Sequence, residues 1–306
     1  MADGEGSAAQ RRSDRVISPG LRYIALSSLS FSVMSLLVKL AGRQFPVMEL
    51  VLARAVVVAT LAYALLRRRG GSLRTGALGL LVLRSLVGFA ALTCFYFAVV
   101  RLPLAEATVI HFTNPVFTAL LAVPLLGERL RRREWLLALA GLGGVVLVAQ
   151  PSFLFGCASP LDSLGVAAAL AASVLAALAY VLIRRMRGVD ADVIVFFFAA
   201  VSVVLALPFT AAHAVIPHGG EWLVLLGIGL ATWGGQMGLT LGLQQERAGR
   251  ATSVGYLQIV FATGWGILVF GDTPEPLAIL GAAIIVSATL LLARARPREG
   301  EPPPAS

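Results

Sequence analysis

Apolar stretches of about 20 residues, the length that spans a bilayer core, follow one another along almost the whole chain. They are separated by short segments rich in arginine, glycine and proline. Ten spans can be drawn: 22–41, 46–66, 77–98, 105–126, 134–150, 163–184, 191–212, 221–243, 251–270 and 275–294. Each is predicted to be a helix, because a chain exposed to lipid must satisfy its own backbone hydrogen bonds. The polar segments support this count. The first tail and every second loop carry Arg11, Arg12, Arg15 and Arg22; Arg67, Arg68, Arg69 and Arg74; Arg129, Arg131, Arg132 and Arg133; Arg184, Arg185 and Arg187; Arg247 and Arg250; and Arg294, Arg296 and Arg298. The intervening loops hold only Arg43 and Arg101. Positive charge collects on the cytoplasmic side, so both termini are expected to be cytoplasmic.

One stretch recurs. Glu106 to Glu128 reads EATVIHFTNPVFTALLAVPLLGE, and Arg250 to Asp272 reads RATSVGYLQIVFATGWGILVFGD, at a constant offset of 144. Ala107 falls on Ala251, Thr108 on Thr252, Val116 on Val260, Phe117 on Phe261 and Gly127 on Gly271. Asn114 meets Gln258, and Glu128 meets Asp272. The chain therefore reads as two copies of a five-helix unit, residues 21–150 and 163–295, joined by an external linker at 151–162. Residues 1–20 and 296–306 read as disordered cytoplasmic tails. An odd number of helices per copy makes the second enter the membrane from the opposite side. The expected fold class is all-α integral membrane, with ten transmembrane helices in two inverted five-helix repeats, as in many secondary transporters.

Composition agrees. Of 306 residues, 58% are hydrophobic and 13% charged, and the mean hydropathy is +0.85. That is too little charge to cover a soluble domain of this size. A net charge of +9 would suggest nucleic acid in a soluble protein; here it reads as cytoplasmic loop charge, and no nucleic-acid partner is expected. Cys94 and Cys157 form neither a metal spacing nor a disulfide framework. The first apolar segment is too long for a signal-peptide core.

These residues carry a resemblance to a family. Lys39 late in the first span, Pro46 and Arg54 in the second, and the run from Pro103 through ATVIHFTNPVF to Gly127-Glu128 resemble the EamA-type drug/metabolite transporter superfamily. In the second half the marks are Arg184-Arg185, YLQIVFA at 256–262 and Gly271-Asp272. The wording is similar to the branch containing mammalian orphan solute carriers and their bacterial relatives. The resemblance implies ten helices, with the third, fourth, eighth and ninth near a central cavity. It also implies peripheral fifth and tenth helices, often at dimer contacts, so a homodimer is among the expected partners. Ile259 stands where the first copy has Pro115, so the second copy is expected to be straighter at midplane.

Ionisable groups within hydrocarbon are expensive and face protein or water. Arg54 lies eight residues into its span, about 12 Å deep. Arg84 lies seven residues into the third span, from the cytoplasmic side. Either can bind helix-end carbonyls or a buried carboxylate, or can offer a positive site to an anionic substrate. Lys39 and Glu49 read as a snorkelling pair near the outer interface. His111 reads as a packing residue, or as a group that binds substrate or carries a proton. Asn114 and Gln258 are either interhelical glue or cavity residues. Phe95, Tyr96, Trp233 and Tyr256 supply aromatic surface, and Gln236 lies mid-span with Gly234, Gly235 and Gly238. Gly234 and Gly238 form a close-packing motif, and Gly141, Gly143 and Gly144 have the same reading. Pro115 and Pro124 are expected to bend the fourth span.

The chain lacks a phosphate-binding loop and an HExxH, so neither an ATPase motor of that type nor a metal enzyme is expected, and no cofactor. No span carries Asp or Glu at its centre. The expectation is a non-enzymatic exporter or exchanger of a small polar, anionic metabolite such as an amino or organic acid, working by alternating access in a bacterial inner membrane. The alternatives are an integral-membrane enzyme acting on a lipid-linked substrate, a channel, and a proton-coupled importer using His111 or Glu106. The candidate substrate-binding set is Arg84, Arg54, His111, Asn114, Tyr96, Trp233, Gln236, Tyr256 and Gln258.

Overall fold

A computed structural model describes residues 19–73, 75–114, 116–118, 120–121, 132–149, 161–186, 188–211, 214–245, 255 and 257–294. Among these residues all regular structure is helical: α1 (Pro19–Ala41), α2 (Val47–Arg68), α3 (Leu78–Arg101), α4 (Leu104–His111), α5 (Arg132–Ala149), α6 (Ser163–Arg185), α7 (Ala191–Ala211), α8 (Glu221–Gln245), α9 (Leu257–Trp265) and α10 (Pro276–Arg294). Six of them, α1 to α3 and α6 to α8, are long and apolar enough to cross a membrane, and α5, α9 and α10 are shorter apolar helices. Large apolar side chains turn outward, among them Val204, Leu223, Val260 and Leu268. Arg54, Arg84, Asn114, Gln236 and Gln258 turn inward. This is the arrangement a lipid solvent selects, with polar groups facing protein.

The fourth element is interrupted. Phe112 and Thr113 form a turn between α4 and the helical residues that follow. Thr113 N–H donates to the Ile110 carbonyl at 3.1 Å and Val116 N–H to Thr113 at 2.9 Å, the three-residue spacing of a tightened turn. The Thr113 hydroxyl adds a bond to Ile110 at 2.7 Å. A proline at 115 removes a helical donor and crowds the carbonyl four residues earlier, that of His111. Pro115 and Pro124 themselves lie outside the described residues. At the equivalent place in the second half, α9 runs through Ile259 without a break. It then loosens into a π-helical turn at Gly266–Phe270, which Gly271 closes at φ +68°, a conformation glycine adopts without a Cβ penalty.

The helices pack in pairs that cross between the halves: α1 on α8, α3 on α6, α2 on α7 and α5 on α10, while α4 and α9 touch each other and also pack on α6 and α1 respectively. Exchanging the first five helices for the last five maps this pairing onto itself. Backbone approach sets the tightest pairs. A Cβ on Gly238 would lie 2.6 Å from the Tyr23 carbonyl of α1. The Ser27 hydroxyl bonds the Gly235 carbonyl at 2.8 Å in the same seam. In the other pair, a Cβ on Gly144 would lie 2.8 Å from the Gly281 carbonyl, and one on Gly281 would lie 2.6 Å from that of Gly144. Small residues let membrane helices approach in this way, where lipid supplies no hydrophobic drive. Gly143, by contrast, faces open space.

The expected pairing of Lys39 with Glu49 is corrected. Lys39 Nζ instead donates to the Leu102 carbonyl and stands over the Phe270 ring. Glu49 accepts from Val215 N–H at 3.0 Å. Each group finds backbone from a neighbouring element, which position along its own helix does not reveal.

Candidate functional site

Where the two halves meet, a cavity with about 680 Å³ of empty space opens among α1 to α4 and α6 to α9. The third, fourth, eighth and ninth helices line it, as expected, and so do α1, α2, α6 and α7. Five members of the candidate set share its wall: Arg54, Arg84, His111, Gln236 and Gln258.

The two arginines define its chemistry. Arg54 is fully buried and Arg84 is 3% exposed. Their guanidinium carbons stand over one ring, that of Phe198 on α7, at 4.9 and 4.1 Å from its centroid. The ring face attracts cations, most strongly where water is excluded. Gly88, one turn beyond Arg84, makes the arrangement fit. A Cβ there would lie 2.8 Å from Arg84 Nη1 and 2.9 Å from Phe198 Cε2. Arg84 Nη2 donates to Gln236 Oε1 at 3.4 Å, a long bond. Its Nε and Nη1, and all three Arg54 nitrogens, make no hydrogen bond of good geometry among the described residues; the Tyr96 hydroxyl is the polar neighbour of Arg54. No Asp or Glu belongs to the described cavity wall. Tyr180 lines it and feels the Arg84 charge.

The remaining candidates are placed differently. Tyr96 is buried beside Arg54 and Thr232, behind the wall. Asn114 is buried, and its carbonyl accepts from Thr118 at 2.8 Å; it is not part of the lining. Trp233 packs against Val58, Ala62, Val195 and Ala199. Tyr256 lies outside the described residues. The His111 ring lies tilted against Phe95 at 4.5 Å between centroids, and its buried Nδ1 has no partner among the described residues. Sequence reasoning missed Phe198, Tyr180 and Gly88. Only the position of Gly88 one turn from Arg84 offered a sequence signal.

Two ion pairs lie outside the cavity among the described residues. Arg69 meets Asp192 at 2.9 Å, and Arg101 meets Asp162 at 2.8 Å. Asp162 caps α6 by accepting from Leu164 and Gly165 N–H. The Arg101 hydrogen bond, with the helix-end amides, holds its carboxyl below the ordinary range. Among the described residues no group of three His, Cys, Asp or Glu side chains could hold a metal ion.

The profile of the EamA-like transporter family matches residues 18–150 and again 163–294. The chain belongs to the EamA-like transporter family. It is 33% identical over 283 residues to the pseudopaline exporter CntI of Pseudomonas aeruginosa, across 92% of this chain and 98% of that protein. To human solute carrier family 35 member G1 it is 31% identical, across 89% of this chain and 78% of that one. An uncharacterized transporter of Helicobacter pylori is 29% identical, across 90% and 94%. One solved crystal structure superposes with a TM-score of 0.66 over 90% of this chain and 98% of the other, at 22% identity, and so bears on the fold alone. Family membership makes the protein an integral-membrane transporter of the drug/metabolite type and not an enzyme.

Proposed function

We propose that this EamA protein is a secondary transporter that carries a small anionic metabolite by alternating access. In this reading the chain forms two inverted five-helix repeats, residues 21–150 and 163–295, ten membrane helices with both termini cytoplasmic, in a bacterial inner membrane. The peripheral pair α5 and α10 offers the surface for a second copy. One observation carries the substrate sign: two buried arginines share the Phe198 ring in a cavity whose described wall holds no carboxylate. Buried charge is retained where a counter-charge arrives, and here the substrate supplies it. Arg84 and Arg54 hold the anion. His111, Gln236, Gln258 and Tyr180 contact the rest, while Tyr96 and Asn114 stand behind them as supports. The relative named as an exporter supports outward transport.

The test is uptake by proteoliposomes of a labelled organic acid, an amino acid, a neutral nucleoside and an organic cation. The organic acid should enter, and Arg84→Gln should abolish its entry. Uptake of the neutral or cationic compound, unchanged in Arg84→Gln, would overturn the reading.

Proton coupling is a second reading, favoured by the buried atoms His111 Nδ1 and Glu106 Oε2, which have no partner among the described residues. It requires that a pH gradient alone drive accumulation, and that Glu106→Gln end this while exchange persists.

A further inference from the structure

The donors in the cavity exceed what one carboxylate can accept. Five buried nitrogens, three on Arg54 and two on Arg84, make no hydrogen bond of good geometry among the described residues, and the Tyr96 hydroxyl beside Arg54 can take up at most part of that set. A carboxylate offers about four acceptor sites on its two oxygens, fewer than the eight N–H groups that these five nitrogens carry. Distances of 4.9 and 4.1 Å to one ring centroid put the two guanidinium carbons at most about 9 Å apart. A single carboxylate, even one bridging both groups, would leave about half of those donors without an acceptor, which is the expensive case.

The same wall disfavours a zwitterion. An ammonium needs a carboxylate or several free acceptors, and the described lining has no Asp or Glu. Gln236 Oε1 is already turned to Arg84, and both guanidiniums repel a second cation. Beyond the charged end the wall is apolar and aromatic, with Met34, Leu92, Phe95 and Phe112. Such a wall suits a short hydrocarbon segment, with His111, Tyr180 and Gln258 as the polar groups at its margin.

We infer that the substrate is a short dicarboxylate without an ammonium group, one carboxylate on Arg54 and the other on Arg84, with its hydrocarbon link running past the Phe198 ring. This rests on the anion-transporter reading and narrows it: amino acids drop out, and so do monocarboxylates. A phosphate monoester carries two charges on one centre and cannot place a separate acid on each arginine.

The experiment uses the purified full-length protein in detergent, with succinate, glutarate and adipate set against butyrate, glutamate and a phosphate monoester of glycerol. Affinity is read by calorimetry and by the shift in melting temperature. One of the three dicarboxylates should bind at least ten-fold more tightly than butyrate, glutamate or the phosphate ester. Arg54→Gln and Arg84→Gln should each bring that dicarboxylate to the butyrate level. Arg54→Lys and Arg84→Lys keep the charge and guard against misfolding; each should retain part of the preference. Butyrate binding as tightly as the best dicarboxylate, and through Arg84, would overturn the two-acid inference and leave the anion reading standing. Equal or tighter binding of the phosphate ester would do the same, and equal or tighter binding of glutamate would overturn the exclusion of an ammonium group. If none of the six anions binds, the inference and the anion reading fall together.

Discussion

Replacing Arg84 with methionine should raise the stability of the empty protein and destroy its affinity for substrate. Without ligand, Arg84 keeps one 3.4 Å hydrogen bond, to Gln236, and its place over the Phe198 ring at 4.1 Å. A hydrogen bond is worth about 0.5–1.5 kcal/mol and a desolvated ring contact about 2 kcal/mol. Against these stands the burial of a charge whose Nε and Nη1 lack partners, which costs several kcal/mol even after relaxation. Apolar replacement of buried ionic groups often stabilises by about 1–4 kcal/mol. A rise of a few degrees in the melting temperature of unliganded Arg84→Met is therefore expected in detergent. Substrate should lose about 2–5 kcal/mol, as for a desolvated charge pair deprived of one partner. That is roughly 30-fold to several thousand-fold in Kd. Added salt should change the wild-type affinity little, because a buried pair is poorly screened. Arg84→Lys should recover only part of it, a point charge replacing a planar fork. The reasoning is refuted if Arg84→Met melts lower than wild type and transports normally, since Arg84 would then be a structural strut.

Gly88→Ala should weaken substrate binding by about ten-fold, because its methyl would press on Arg84 Nη1 and the Phe198 ring. The better helix propensity of alanine offsets about 1 kcal/mol of that crowding, so affinity should fall by more than the melting temperature does. With Cys94 and Cys157 removed, single cysteines at Arg69 and Arg185 should be shielded from an impermeant thiol reagent outside cells, while one at His218 should react; external labelling at Arg185 breaks the inverted-repeat topology. Asp162 should give an acid-sensitive contribution. Its folded value lies below the ordinary 3.8, so its stabilisation is complete above that value and is lost as pH falls through the depressed one. Asp162→Asn should flatten that acid limb in a melting series while leaving transport at neutral pH intact.

The helices were legible because lipid imposes one rule on every spanning residue. Predicted spans 46–66, 163–184 and 191–212 correspond to helices Val47–Arg68, Ser163–Arg185 and Ala191–Ala211. The tightened turn at Thr113 could be anticipated from Pro115, because a proline acts on its own helix. The arginines, His111, Gln236 and Gln258 stood out as polar groups in apolar runs, where each must face protein or water. Phe198 and Tyr180 carried no such contrast. An aromatic residue in a span can face lipid, core or cavity, and packing across the halves decides which. The Lys39–Glu49 pairing failed for the same reason: the Leu102 carbonyl and the Val215 amide that replace it belong to other elements. From sequence, Tyr96 and Trp233 read as aromatic surface for the substrate, yet they are not part of the described lining; a helix position does not say whether a ring reaches the cavity or lies one layer behind.

The central claim is that the cavity between the halves carries an anion across the membrane one load at a time. Counterflow tests it most directly. Proteoliposomes loaded with the unlabelled dicarboxylate that binds best are diluted into a trace of the same compound, labelled. Alternating access predicts a transient accumulation of label above its external concentration, absent in Arg84→Gln vesicles. Label that only equilibrates, with no overshoot and at the same rate in Arg84→Gln, would contradict it.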